Sequence, residues 1–272
     1  MGTMIQQFNN VPVCRVSVGA FVWVPAGGGA GYPRRDAQRD GMRVTGESLA
    51  ERARRATRIG RALERAYPDA ACALHYDTPF QLLVATILSA QCTDEKVNEV
   101  TAVLFRRYGN ARALADADPA EIEAVVRPTG FYRQKAKSIQ ATARDVVERF
   151  GGEVPKTLEE LTSLRGVARK TANVVRGNAY GIPALAVDTH MKRIHKRLEL
   201  SDSDDPDRIE RDLMQLVPEP DWTHYTQRVI RHGRVCCTAR QARCEACPLR
   251  ANCPWPGAKP RRSAPRREKR RR

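Results

Sequence analysis

Apolar positions recur at helical spacing over most of this chain, and no hairpin of strands is legible in it. In residues 48–67, Leu49, Ala53, Ala56, Ile59 and Leu63 fall on one face, the inward stripe of an amphipathic helix. Thr78 and Pro79 read as a cap and a first-turn residue, and the following FQLLVATILSAQC is apolar nearly all round, which predicts a central buried helix. Thr93 opens another helix to Tyr108, stopped by Gly109-Asn110, and shorter helical pieces are expected at 119–126 and 135–150. Thr157 and Glu160 form a capping-box pattern. A turn at Arg165-Gly166-Val167 leads into a helix over 168–177, with Ala172, Val175 and Ala179 on one face, closed by Gly181 and Pro183. After the apolar run Ala184 to Val187, Asp188 caps THMKRIHKRL, and two more helices are read at 206–217 and 221–234. The expected fold class is all-α.

With 272 residues, 42% of them apolar, the chain can bury the core of one large domain or two modest ones. No run of 18 apolar residues occurs, so no membrane-spanning helix is expected. The net charge of +16 suggests a polyanionic partner, either nucleic acid or an anionic membrane. Because 38 of the 47 basic residues are arginine, a bias that codon composition produces as readily as binding does, placement is the better guide. Residues 257–272 carry nine Lys/Arg and one Glu, half of the net charge, in a block expected to lie outside the folded domains and to tether DNA phosphates. Residues 1–44 hold an apolar patch and then a glycine-rich stretch without helical or strand period. They make a poor signal peptide and read as a disordered extension, or as the product of a start codon upstream of one near Met42.

Five of the eight cysteines lie between Cys236 and Cys253, which argues for a reducing compartment, hence the cytoplasm, and for a metal or cluster site rather than a disulfide scaffold. Cys237, Cys244, Cys247 and Cys253 place four thiols within seventeen residues, close enough to wrap one tetrahedral ion or one cubane. Residue types alone permit zinc as readily as iron and sulfur. A second chemical candidate is the pair Lys170 and Asp188, each at the start of a helix. The electropositive end of a helix disfavours an ammonium ion and favours a carboxylate, so a nucleophilic amine and a nearby anion can share one site. Either residue taken singly reads more simply as a surface lysine or an N-cap.

The run L-R-G-V-A-R-K-T-A-N-V-V, then G-I-P, then V-D-T-H, resembles the helix-hairpin-helix DNA glycosylases of the Gly-Pro/Asp type, and within them the endonuclease III family. The succession of helices is similar from about Glu47 to Trp255. The resemblance implies two domains: a six-helix domain over 72–182 that contains the hairpin, and an iron-sulfur cluster helical domain formed by 45–71 and 183–256. It makes Lys170 the Schiff-base lysine and Asp188 the catalytic aspartate, facing each other across the interdomain cleft. It assigns a [4Fe-4S] cluster to Cys237, Cys244, Cys247 and Cys253, leaving Cys236 a spare thiol. Arg240 and Arg243, between the first two ligands, would reach DNA phosphates; Gln241 stands where relatives often carry another basic residue, which weakens that grip.

From the residues alone Gln91 reads as a helix end and Phe131 as core. The resemblance instead makes Gln91 the plug that fills the space of an extruded nucleotide, and Phe131 a wedge between bases where leucine is usual. The usual hairpin, L-P-G-V-G, here has Arg165 and Ala168 beside Gly166, so a nest of backbone amides is partly exchanged for a guanidinium contact to phosphate. The implied protein is a monomeric bifunctional DNA glycosylase and abasic-site lyase. It would excise oxidised pyrimidines from double-stranded DNA carrying damaged bases or abasic sites, on the nucleoid if the source is prokaryotic. The rivals are an adenine-mismatch glycosylase, which normally lacks this lysine, and a non-catalytic iron-sulfur DNA-binding protein.

Overall fold

The computed structural model describes residues 46–255, which lie in one compact unit. The expectations for 1–44 and 257–272 fall outside the described residues. The helices are α1 (Leu49–Ala66), α2 (Pro79–Leu88), α3 (Asp94–Arg107), α4 (Ala111–Ala115), α5 (Pro119–Val126), α6 (Tyr132–Phe150), α7 (Leu158–Thr162), α8 (Arg169–Ala179), α9 (Thr189–Arg197), α10 (Pro206–Met214) and α11 (Trp222–Val235). Among the described residues no strand forms, and one isolated antiparallel bridge joins Cys237 to Ala242. No described helix is long and apolar enough to cross a membrane. The all-α expectation holds.

Local chemistry sets the helix starts. Ser48 and Glu51 form a complete capping box on α1, and Thr78 accepts from Gln81 N–H ahead of Pro79. Thr157 accepts from Glu160 N–H, whereas the Glu160 carboxylate turns to the Thr157 hydroxyl, so only half of the expected box forms there. Three details depart from the sequence reading. Leu49 is 58% exposed, because it opens α1 before the helix reaches the core that Ala56, Ile59 and Leu63 enter. Asn110, read as a stop, is instead the N-cap of the short α4 and accepts from Ala113 N–H at 2.9 Å. Helix α6 starts at Tyr132, three residues early, out of a left-handed Phe131.

Two hydrophobic cores result. One is drawn from a continuous stretch, Leu74 to Val175, and is centred on the buried residues of α2 with Leu104, Leu114, Ile122, Ile139 and Leu161. The other joins Ile59 and Leu63 of α1 to Leu185, Met191, Ile194, Leu213, Val229 and Leu249, far along the chain. Helix α8 ties them together. Asn173 donates to Leu185 O at 2.9 Å, and a Cβ on Gly177 would sit 2.6 Å from Thr223 Oγ1, so only glycine lets α8 approach the start of α11 this closely. Arg169 adds a bidentate ion pair to Glu210 of α10, at 2.8 and 2.9 Å.

Candidate active site and metal centre

The seam between the cores opens into a cleft of about 570 Å³. Leu74 and Val174 belong to or pack on the first core and Tyr67 packs on the second, while Lys170 and Asp188 both line the cleft. Lys170 is the second residue of α8, exposed towards solvent. Asp188 is the N-cap of α9: its Oδ1 accepts from Met191 N–H at 2.7 Å, which leaves the second carboxylate oxygen for other partners. The sequence reading thus brought two residues to one concave site of ligand-binding size. It missed Asp94, Arg231 and Arg234, which share the cleft wall. Arg234 pairs with Asp94 at 2.6 Å across 140 residues of sequence, so no local pattern could have announced the pair.

The turn before α8 is held by one stripe of α6. Asp145 Oδ2 accepts from Arg165 N–H at 2.9 Å, the Thr142 hydroxyl donates to Arg165 O, and Arg149 donates to Ser163 O at 3.1 Å. Gly166 has φ +79°, and a Cβ there would meet Ser138 Cβ at 3.2 Å, so the turn needs glycine for both conformation and space. Ala168, the N-cap, is in extended backbone and offers no side-chain acceptor to the first-turn amides of α8. The α8 start therefore presents N–H groups and a helix dipole of the kind that binds phosphate. Gln91 and Phe131 occupy left-handed turns with φ +53° and +47°. Phe131 is 69% exposed, which rules out the core reading of its side chain. Arg240 and Arg243 are exposed, and a turn closed by Thr238 and Gln241 carries Arg240.

Cys237, Cys244, Cys247 and Cys253 line one cavity with Ile194, Leu198, Leu249 and Trp255. Two 3-10 turns, Cys244–Ala246 and Arg250–Asn252, bring the last three round. Arg197 donates to Cys237 Sγ at 3.1 Å and stacks over the Trp255 ring at 5.2 Å. Burial pushes the Cys247 thiol up to about 12 and raises Cys253 as well, so their thiolates need a positive centre in place of the proton. Soft donors, apolar walls and a guanidinium at one sulfur fit an iron-sulfur group. The Cys236 Sγ, the Cys247 Sγ and a ring nitrogen of His232 lie within 4.8 Å of one another. Burial holds His232 well below its usual value, at about 4, so the ring is neutral at pH 7.

Comparison with known proteins agrees with this geometry. Residues 84–219 match the HhH-GPD superfamily of base excision DNA repair proteins. Endonuclease III of Synechocystis sp. is 56% identical over 207 residues, covering 76% of this chain and 94% of the relative. The Bacillus subtilis protein of the same name is 44% identical over 188 residues, covering 69% and 86%. A solved structure of a trapped endonuclease III–DNA covalent intermediate superposes with a TM-score of 0.72 at 39% identity, over 74% of this chain and 95% of that one. A thermostable thymine-DNA glycosylase, 20% identical with a TM-score of 0.69, shares the fold. Hairpin, cleft and cysteine loop occur together in a chain this similar to those relatives, and the chain belongs to the endonuclease III family of HhH-GPD base excision repair proteins.

Proposed function

We propose that the cleft between the two cores is where this chain, a base excision repair DNA glycosylase and abasic-site lyase that binds DNA, carries out both reactions through Lys170 and Asp188. The observation that carries the proposal is the convergence of an amine at the start of α8 and a carboxylate at the start of α9 on one cavity. Lys170 Nζ attacks C1′ of the extruded nucleotide as the N-glycosidic bond breaks, and the bonding pair leaves with the base. The free Asp188 oxygen stabilises positive charge developing on the sugar and assists in taking the amine proton. The amine then loses its proton and the C1′–O4′ bond opens, its electron pair and a proton going to O4′; the Schiff base so formed acidifies C2′, whose proton is lost as the 3′ phosphate departs. The α8 start and Arg165 hold a backbone phosphate, Gln91 and Phe131 enter the stack, and Arg240 and Arg243 add phosphate contacts.

Oxidised pyrimidines in duplex DNA are the proposed substrates, processed by a monomer in the cytoplasm. The two cores are read as the two domains of the family. Cys237, Cys244, Cys247 and Cys253 would hold a [4Fe-4S] cluster, which supplies a rigid centre around which the loop bearing Arg240 is ordered. Incubation with duplexes carrying an oxidised pyrimidine, an adenine mismatch or no lesion tests the substrate assignment. Strand nicking confined to the first supports it, and base release from the mismatch without nicking would favour an adenine glycosylase instead. Iron and sulfide near four each per chain would support the cluster, and zinc in their place would refute it.

A further inference from the structure

Cys236 lies outside the proposed cluster ligands, yet it is buried at the C-terminal end of α11, one helical turn from His232. A tetrahedral ion with Zn–S near 2.3 Å and Zn–N near 2.0 Å requires donor-to-donor edges of roughly 3.5–3.8 Å. His232 Nε2 is 3.8 Å from Cys247 Sγ, and the three donors lie within 4.8 Å of one another. The imidazole is also oriented from behind, with Tyr67 Oη 2.9 Å from its Nδ1. With the proton on Nδ1, the ring donates to that oxygen and turns the Nε2 lone pair to the thiols, the outer contact that metal-ligating histidines typically make. These three residues line the same cavity as Cys237, Cys244 and Cys253, so a single ion held by them would occupy the space proposed for the cluster.

We propose that His232, Cys236 and Cys247 form a second metal site, which binds a single zinc-class divalent ion in place of the cluster. Cys247 is shared, so the two occupants exclude each other, and in this respect the proposal rests on the cluster reading. Loading releases the two thiol protons as two S–Zn bonds form, with Cys237 or water in the fourth position. The loop then has two arrangements: a tighter one around one ion, anchored to α11 through Cys236, and a wider one around the cluster.

The test uses the full chain, produced either in iron-replete medium or in iron-limited medium supplemented with zinc. Metal content, competition with a chromophoric chelator and cobalt(II) charge-transfer absorption are the readouts. Wild type from the zinc medium should carry about one zinc, while Cys236→Ser and His232→Gln should each bind it at least about 100-fold more weakly. Tyr67→Phe, which keeps every ligand, should weaken zinc about tenfold and serves if the other variants fail to fold. In iron-replete medium Cys236→Ser should keep its iron and sulfide. Cys244→Ser should lose them and still take up zinc. Undiminished zinc binding in Cys236→Ser, or equal loss of zinc in Cys244→Ser, would overturn the proposal, the latter by placing zinc on the cluster ligands. Absence of iron and sulfide from iron-replete wild type would defeat the cluster reading alone, because the contrast between Cys236→Ser and Cys244→Ser would still decide the zinc site.

Discussion

The helices that carry Lys170 and Asp188 begin in opposite ways. At α9 the protein closes its own helix end, with Asp188 accepting the Met191 amide. At α8 the N-cap is Ala168, which has nothing to give the first-turn amides, and the preceding turn is braced from behind by Thr142, Asp145 and Arg149. A capped end fixes its carboxylate and commits one of its oxygens. An uncapped end, held rigid but unfinished, is completed by an anion from outside. In the proposed function the two ends would divide the work, α9 giving the cleft a fixed charge and α8 giving it both an amine and a phosphate grip.

The largest expected effect comes from removing the amine. Borohydride should trap wild type on a damaged duplex as a covalent adduct, and Lys170→Ala should give none; continued trapping in the variant would move the nucleophile elsewhere. At the other helix the same carboxylate is both cap and charge, and two substitutions separate those roles. Asp188→Asn keeps a good cap, so thermal stability should hold, while the single-turnover rate falls on the order of 10²–10³-fold with binding little changed. Asp188→Ala should lose the rate and about 1 kcal/mol of stability as well. A normal rate in Asp188→Asn would reduce Asp188 to a cap.

Much of this contrast was legible in the sequence because it is local. Asp188 ahead of a helical run, Gly166 in a turn and Gly181-Ile182-Pro183 after α8 each act within a few residues, and the structure places α8 and α9 accordingly. What braces α8 was not legible. Ser138, Thr142, Asp145 and Arg149 read as the polar side of an amphipathic α6, and only the fold turns that side towards the hairpin. The cleft wall failed for the same reason, since Asp94 and Arg234 meet only after the second core has been assembled from both ends of the folded region. For Phe131 only the reading from the residues alone, ordinary core, fails, because nothing in its neighbours announces the left-handed turn that leaves it exposed.

Acid should affect the two helices unequally. His195 of α9 is fully buried, with Nδ1 2.6 Å from Met191 O and Nε2 2.9 Å from Tyr225 Oη, and burial pulls it from 6.5 down to about 4. The buried residues of α8 are Ala172, Asn173, Val175 and Gly177, none of them titratable. Because the folded value lies below the unfolded one, the unfolded chain binds the extra proton between about pH 6.5 and 4. Stability is therefore complete above 6.5 and is lost as pH falls through that window, by about 2 kcal/mol at pH 5. Hydrogen exchange at pH 7 and pH 5 should show α9 amides losing protection ahead of those of α8, and His195→Gln should flatten the dependence. Equal loss in both helices would mean that His195 takes its proton only when the whole fold opens.

The smallest effect concerns the uncapped end itself, at the two positions where this hairpin departs from L-P-G-V-G. Restoring proline at 165 is not a clean test, because the Arg165 N–H is bonded to Asp145 Oδ2 and proline has no N–H to give. Arg165→Ala keeps that bond and removes only the guanidinium. If the side chain neutralises one phosphate, the slope of log affinity against log salt should become shallower by about 0.9, with damaged and undamaged duplexes affected alike. Ala168 sits in extended backbone that alanine adopts without strain, so Ala168→Gly tests approach rather than conformation. It should let the α8 amides close on the phosphate and raise affinity a few-fold at high salt, where side-chain charges are screened most. An unchanged slope in Arg165→Ala would show that the amides of α8 already hold the phosphate unaided, and the arginine would then be a substitution with no part in the grip.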